Sequence, residues 1–119
     1  MLLTPYMDDD GNLVVTQGET FVYALNNIKE DNNLIDFTQG WSVEMQARTD
    51  GETLLLDLSS TGGEIILGNG TITISESASA MSSLPVGTHR YDIKLTDPDG
   101  NVTHWFRRKR FKVLRRVTQ

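Results

Sequence analysis

The chain has 119 residues, no cysteine and a net charge of −5. This length is typical of one domain that buries a core without disulfides, and the lack of cysteine excludes thiolate zinc sites and cysteine nucleophiles. No apolar run is long enough to span a membrane. The first residues reach Asp8 before the apolar segment of a signal peptide could form, so we expect a soluble protein that does not bind membranes.

Charge is distributed unevenly along the chain. Residues 1–100 contain all 16 acidic side chains and four basic ones, which gives a net charge of −12, whereas residues 101–119 contain seven basic side chains and no acidic one. This pattern favours a basic strand that pairs with acidic neighbours of its own domain, and docking onto an acidic protein is the second interpretation. Nucleic acid is the least favoured partner, because the rest of the surface would repel phosphate.

The N-terminal third predicts an arm, two strands and a loop. We expect an irregular N-terminal arm over residues 1–11 and a single β-sandwich domain over residues 12–119. Short strands are predicted over 13–16 and 20–25. The polar segment 26–39 predicts a loop whose apolar side chains fold back onto the domain; these are Leu34, Ile35 and Phe37.

The middle of the chain contains a clear strand pattern. Alternation of apolar and polar residues predicts a central strand whose core-facing side chains are Trp41, Val43, Met45 and Ala47. Glycine-containing turns then separate predicted strands over residues 53–58, 65–67 and 71–75. Residues 77–83 predict one helical turn, too short to be more than a connection.

The last third predicts a β-hairpin. Tyr91, Ile93 and Leu95 alternate with polar residues, which is the pattern of a strand with one buried face. Asp97-Pro98-Asp99-Gly100 follows, and Gly100 is expected at positive φ in the turn. The chain must then return as an antiparallel strand from Val102 onward.

The returning strand has a conflict of parity. Val102, His104 and Phe106 share one parity, whereas Phe111, Val113 and Val117 share the other. Either a bulge within residues 107–110 switches the faces, or Trp105 faces inward and Phe106 lies outside the sheet. Both alternatives leave an aromatic residue beside a basic run, which predicts a partner-binding surface formed by Trp105, Phe106, Arg107, Arg108 and Arg110.

Counting these segments predicts an all-β fold, an antiparallel sandwich of about seven to nine strands. Trp41 and Tyr91 occupy positions where immunoglobulin-like sandwiches often place core aromatic residues. Both histidines are interpreted as ordinary surface or sheet-edge residues. Asp8-Asp9-Asp10-Gly11-Asn12 lacks the glycine and glutamate positions of a calcium loop.

Catalytic chemistry is not indicated by any motif. Glu44 and Asp92 could converge from neighbouring strands, but carboxylates at this density form such pairs by chance. The glycine pairs lack the lysine and the following helix of a phosphate loop. We therefore predict a protein that is not an enzyme and has no catalytic residues, no bound metal and no cofactor.

A family resemblance provides the functional expectation. Gln17-Gly18-Glu19-Thr20, Leu84-Pro85-Val86-Gly87 and Tyr91-Asp92-Ile93-Lys94-Leu95 make the chain resemble small immunoglobulin-like proteins of tailed bacteriophages. It is similar to the N-terminal domain of phage baseplate upper proteins. The family departs from this chain at residues 107–110, where a small residue would be expected.

This resemblance implies an immunoglobulin-like virion component of the tail, the baseplate or the head–tail region. Its partners would be other virion proteins or copies of itself, and it would be assembled in the bacterial host cytoplasm and located in the virion. The family has no catalytic residues to transfer. The competing hypothesis is a carbohydrate-binding or host-adhesion module, because β-sandwiches commonly carry sugar sites.

Overall fold

A computed structural model describes residues 4–116 and is all-β. Within this range the chain forms eleven strands and one helical turn, α1 (Ala78–Met81). The strands are β1 (Tyr6–Met7), β2 (Leu13–Thr16), β3 (Phe21–Leu25), β4 (Lys29–Glu30), β5 (Asn33–Leu34), β6 (Ser42–Arg48), β7 (Leu54–Ser59), β8 (Ile65–Gly68), β9 (Thr71–Glu76), β10 (Gly87–Thr96) and β11 (Val102–Leu114).

The strands form three sheets. The largest has six strands in the order β1-β2-β11-β10-β6-β7, the second has the order β3-β9-β8, and β4 pairs with β5. All named strand pairs are antiparallel except β2 and β11, which run parallel with Leu13 opposite Phe111. The prediction of a purely antiparallel fold is therefore wrong. A parallel pair needs a crossover connection, and here the whole intervening chain provides it.

One hydrophobic core lies between the two larger sheets. The alternation predicted for β6 is confirmed, because Val43, Met45 and Ala47 are fully buried, and Tyr91 and Ile93 of β10 join them. The prediction that Trp41 lies on this strand and in the core is wrong in detail. Trp41 precedes β6 and is only partly buried, with its ring edge-on to Phe37 at 5.1 Å between centroids.

The N-terminal segment is more regular than an irregular arm. Residues 6–7 form β1, which pairs with β2 so that Tyr6 lies opposite Val14. The Tyr91 hydroxyl donates a buried hydrogen bond to the Gly11 carbonyl and so attaches the β1–β2 turn to β10. Burial raises the pKa of this hydroxyl above its ordinary value. The prediction for residues 1–3 lies outside the described range.

The turns of the two main hairpins are repeats of one sequence, Asp-x-Asp-Gly-Asn. In the β10–β11 turn, Asp97 Oδ1 accepts from the backbone N–H groups of Asp99 (2.9 Å) and Asn101 (2.8 Å). In the β1–β2 turn, Asp8 accepts from the corresponding N–H groups, at residues 10 and 12, at 2.9 Å each. The predicted positive φ of Gly100 is confirmed at +89°. A short carboxylate that caps its own turn explains why this sequence closes both hairpins.

The returning strand β11 contains a bulge at the predicted place. Lys109 lies opposite Tyr91 and Phe106 opposite Ile93, so two arginines, Arg107 and Arg108, face the single residue Asp92. Arg108 has φ +50°, and its backbone N–H donates to Asp92 Oδ1 at 2.7 Å. The bulge brings Phe106 and Phe111 onto the same buried side, as the first of the two parity alternatives predicted. That alternative is wrong for Val102 and His104, which are exposed, because a second register shift at Trp105 separates them from Phe106. Val117 lies outside the described residues.

Two smaller predictions met different outcomes. The predicted loop 26–39 contains the short β4–β5 hairpin, and within it Phe37 is fully buried, whereas Leu34 is 44% exposed and does not fold into the core. The predicted helical turn is confirmed as α1. The Ser77 side chain caps its first turn by accepting from the Ala80 N–H at 3.2 Å.

Candidate functional site

The predicted partner-binding residues lie on β11 and are mostly exposed. Trp105 is 36% exposed, and the side chains of Arg107, Arg108 and Arg110 lie at the surface. Phe106 is partly buried and stacks on the Tyr91 ring at 5.9 Å between centroids. The alternative that placed Phe106 outside the sheet is therefore wrong. Trp105 is left as the exposed aromatic residue of this segment.

A row of three arginines crosses the six-stranded sheet on its outer face, the face that points away from the core. Arg90 of β10 lies opposite Arg48 of β6 on one side and opposite Arg110 of β11 on the other. Like charges directly opposite each other in a sheet are destabilising. We call these three residues the arginine row. Nearby negative charge is needed to offset the repulsion between them.

The carboxylates near the arginine row neutralise it only in part. Asp50 lies 3.5 Å from Arg90 Nε, but its side chain is 75% exposed. Glu52 forms a second exposed pair, 3.1 Å from Arg108. Exposed ion pairs contribute little and are screened by salt. Five arginines lie around the bulge, and the three carboxylates that contact members of this group are Asp50, Glu52 and Asp92, which leaves a net charge of +2.

A trough of about 370 Å³ adjoins the row on the same face. Its lining is entirely polar or charged and comes from three neighbouring strands: Glu44, Gln46, Arg48, Asp92, Lys94, His104 and Arg107. Lys94 pairs with Glu44 at 3.1 Å, and Asp92 is held by the Arg108 backbone. Both carboxylates already have partners, whereas Arg107 makes no ion pair or side-chain hydrogen bond within residues 4–116.

Arg48 contains the one buried side-chain nitrogen or oxygen that has no hydrogen-bond partner within the described residues. One of its terminal nitrogens donates to the Gln46 side-chain oxygen, but its Nε is buried and has no hydrogen-bond partner within residues 4–116. Buried donors in proteins are nearly always paired with protein, water or ligand. The Arg48 guanidinium therefore has an N–H group left to donate to one more oxygen.

The two histidines differ in environment. His89 is 8% exposed, and its Nε2 lies 2.9 Å from the Pro85 carbonyl, so the prediction of an ordinary surface position is wrong for this residue. Its ring turns inward because β10 alternates and His89 shares the parity of Tyr91. His104 is exposed at the rim of the trough.

The acidic turns have a structural explanation for their carboxylates. The backbone N–H of Asn101, with the Asn101 side chain and further turn N–H groups, lowers the pKa of Asp97 below its ordinary value. The equivalent hydrogen bonds from Asn12 lower the pKa of Asp8. Within residues 4–116 no group of three or more His, Cys, Asp or Glu side chains is arranged to hold a metal ion.

This lowered pKa predicts a pH dependence of the β10–β11 turn. A carboxylate with a lowered pKa in the folded state stabilises that state at neutral pH, and its contribution disappears as the pH falls through the lowered value. We expect a carboxyl NMR titration to give Asp97 a midpoint below 3.8. Asp97→Asn should remove this pH dependence from the turn resonances. A midpoint at or above 3.8 would contradict the turn geometry.

Sequence reasoning missed Arg48, Arg90 and Gln46 as members of this surface. Each has the outward parity of a predicted strand, so their orientation was available from the sequence. Their alignment with Arg110 depends on the register of β6, β10 and β11, which local periodicity does not contain. The expected convergence of Glu44 and Asp92 is found in the trough, but each has a different partner.

Comparison with known proteins gives no relative: no protein-family model matches the chain, and no curated protein sequence matches it significantly. In the described part of the chain no helix is long and apolar enough to cross a membrane.

Proposed function

We propose that the protein is a non-enzymatic structural component of a tailed-phage virion, an immunoglobulin-like domain that acts through protein–protein contacts. The tail, the baseplate and the head–tail region are the proposed locations. The contact surface is the basic outer face, which would dock against an acidic surface of another virion protein or of a second copy.

The observation that carries this proposal is the concentration of arginines on one exposed sheet face. The arginine row and the bulge residues Arg107 and Arg108 place five guanidinium groups on β6, β10 and β11. Trp105 lies away from them, beside Asp8, Asp10 and Lys109 at the β1–β2 turn. Arginine and aromatic residues are enriched at protein interfaces, and arginine binds carboxylates with two parallel hydrogen bonds. A charged face of this composition suits an acidic protein partner better than a small apolar ligand.

Contacts between the segments that carry the family resemblance support the same proposal. Gln17 and Leu84 come from two of these segments, and the Gln17 side-chain amide donates to the Leu84 carbonyl at 2.8 Å although 67 residues separate them. Leu84 is 2% exposed. The two segments therefore contact each other in this fold.

The virion role is tested on particles released by cells that carry the gene. Mass spectrometry of purified particles should detect the protein, and immunogold labelling should place it on the tail, the baseplate or the head–tail junction. Absence of the protein from intact particles would overturn the virion role.

Replacing Arg107, Arg108 and Arg110 by glutamine should abolish docking to the virion partner and to a second copy. The domain should stay folded, because these side chains are exposed. Light scattering at low and high salt would measure the assembly of the purified protein, and pull-down from dissociated particles would measure partner binding. The matched control removes the same charge elsewhere by Lys29→Gln, Arg115→Gln and Arg116→Gln. Association should also weaken with salt, since exposed charges are screened over about 10 Å at 0.1 M.

The competing carbohydrate-binding hypothesis makes a different prediction. Among residues 4–116, no Phe, Tyr or Trp lines the trough, so it lacks the large rings on which sugars commonly stack. A glycan array should therefore be blank. Specific glycan binding that survives the triple arginine substitution would favour the adhesion module over the docking surface.

A further inference from the structure

We propose that the trough on the outer face is an oxyanion-binding site in which the guanidinium groups of Arg48 and Arg107 hold a phosphate, sulfate or carboxylate group. This inference concerns a small ligand and does not rest on the proposed virion role.

The charges of the trough favour an anion. Its three cationic side chains are Arg48, Lys94 and Arg107, and its two carboxylates are Glu44 and Asp92. Lys94 and Glu44 neutralise each other at 3.1 Å, and Asp92 accepts the Arg108 backbone N–H at 2.7 Å. Asp92 keeps its negative charge, because a backbone N–H group is neutral, so the three cations and two carboxylates leave a net charge of +1. The two arginines are the lining cations that form no ion pair within residues 4–116.

The trough also contains a hydrogen-bond donor that has no partner within the described residues. Arg48 Nε is buried without a partner, and its neighbouring terminal nitrogen is fixed by Gln46. A guanidinium held in one orientation can bind an oxyanion with little further loss of side-chain freedom. Unused donors that have a fixed orientation are what an oxyanion site requires.

The position of Arg107 follows from the bulge. In a regular strand one residue would lie opposite Asp92, but here Arg107 and Arg108 both do. Arg108 turns toward Glu52, and Arg107 lines the trough. The bulge thus supplies a second guanidinium to the site, and bulges commonly redirect side chains next to functional sites.

Titration with inorganic phosphate, sulfate and acetate, each at constant ionic strength balanced with sodium chloride, tests the proposal by NMR. Saturable shifts should be confined to the backbone and arginine Nε resonances of the trough, chiefly those of Gln46, Arg48, Asp92 and His104. Stronger binding of phosphate and sulfate than of acetate would assign a tetrahedral anion, and the reverse order a carboxylate. Shifts that are no larger than those with chloride alone would overturn the proposal.

Variants provide the second arm. Arg107→Gln and Arg48→Gln should each weaken binding about tenfold, as expected for loss of a charged hydrogen bond. Arg107→Lys keeps the charge but loses the planar donor pair, and binding should fall between that of Arg107→Gln and that of the unaltered protein. Lys29→Gln removes one charge from β4 and is the control for net charge. Equal affinity in Arg107→Gln and Lys29→Gln would show that binding is not at this site.

Discussion

Replacing Tyr91 by alanine is expected to cost about 3–5 kcal/mol of folding free energy, as for other large aromatic residues in cores. The ring is fully buried and contacts Phe106 and Phe111, at 5.9 and 6.1 Å between centroids. Its hydroxyl also satisfies the buried Gly11 carbonyl. A loss of this size is enough to unfold many domains of this length.

Chemical denaturation followed by circular dichroism would measure the effect. Tyr91→Phe is the informative companion, because it keeps the ring contacts and removes only the hydrogen bond, for an expected cost of about 1–3 kcal/mol. Trp41→Ala should cost less than Tyr91→Ala, since Trp41 is only partly buried. If Trp41→Ala proved the more damaging of the two, the position of the core in this structure would be wrong.

Gly11→Ala is expected to destabilise the protein clearly more than Gly100→Ala, although both glycines occupy the same position of the same turn sequence. Both have positive φ, +86° and +89°, so each substitution carries the strain of a left-handed residue, about 1–2 kcal/mol. A Cβ at Gly11 would lie 2.9 Å from the Phe106 ring, whereas none of the described atoms lies within 4 Å of a Cβ at Gly100. Overpacking should add about 1–3 kcal/mol at Gly11 alone.

The matched pair separates backbone strain from steric contact. Phe106 cannot move away freely, because it stacks on Tyr91. Thermal unfolding of the two variants, with Phe106→Leu as a third background, provides the measurement. In that background the smaller side chain should reduce the difference between the two substitutions. Equal destabilisation in the unaltered background would mean that the β1–β2 turn does not pack on Phe106.

The sequence allowed prediction of the features that are local. The alternation in β6 and β10, the turn at Gly100 and the change of face within residues 107–110 depend on neighbouring residues, and all of them are found. The turn sequence Asp-x-Asp-Gly-Asn also occurs twice, starting at Asp8 and at Asp97, and this repeat can be read from the sequence alone. The immunoglobulin-like topology and the virion role stay proposals.

Features that depend on distant residues could not be predicted. The parallel pairing of β2 with β11 and the alignment of the arginine row follow from sheet register, which is decided by the packing of the whole core. Trp41 illustrates the same limit. Its parity is that of a core residue, but the strand begins one residue later and the ring lies against Phe37 near the end of the sheet.

The pairing of β2 with β11 has a consequence for the order of folding. The Arg110 backbone N–H bonds to the Asn12 side chain across 98 residues, and Tyr91 reaches Gly11 across 80. Closing such long loops is entropically costly and slows folding. On a ribosome β1 and β2 are made early, but their place in the sheet exists only after β11 has emerged. The part of the described chain that is synthesised first is therefore among the last to be fixed, and until then its apolar strand remains available to other binding partners such as chaperones.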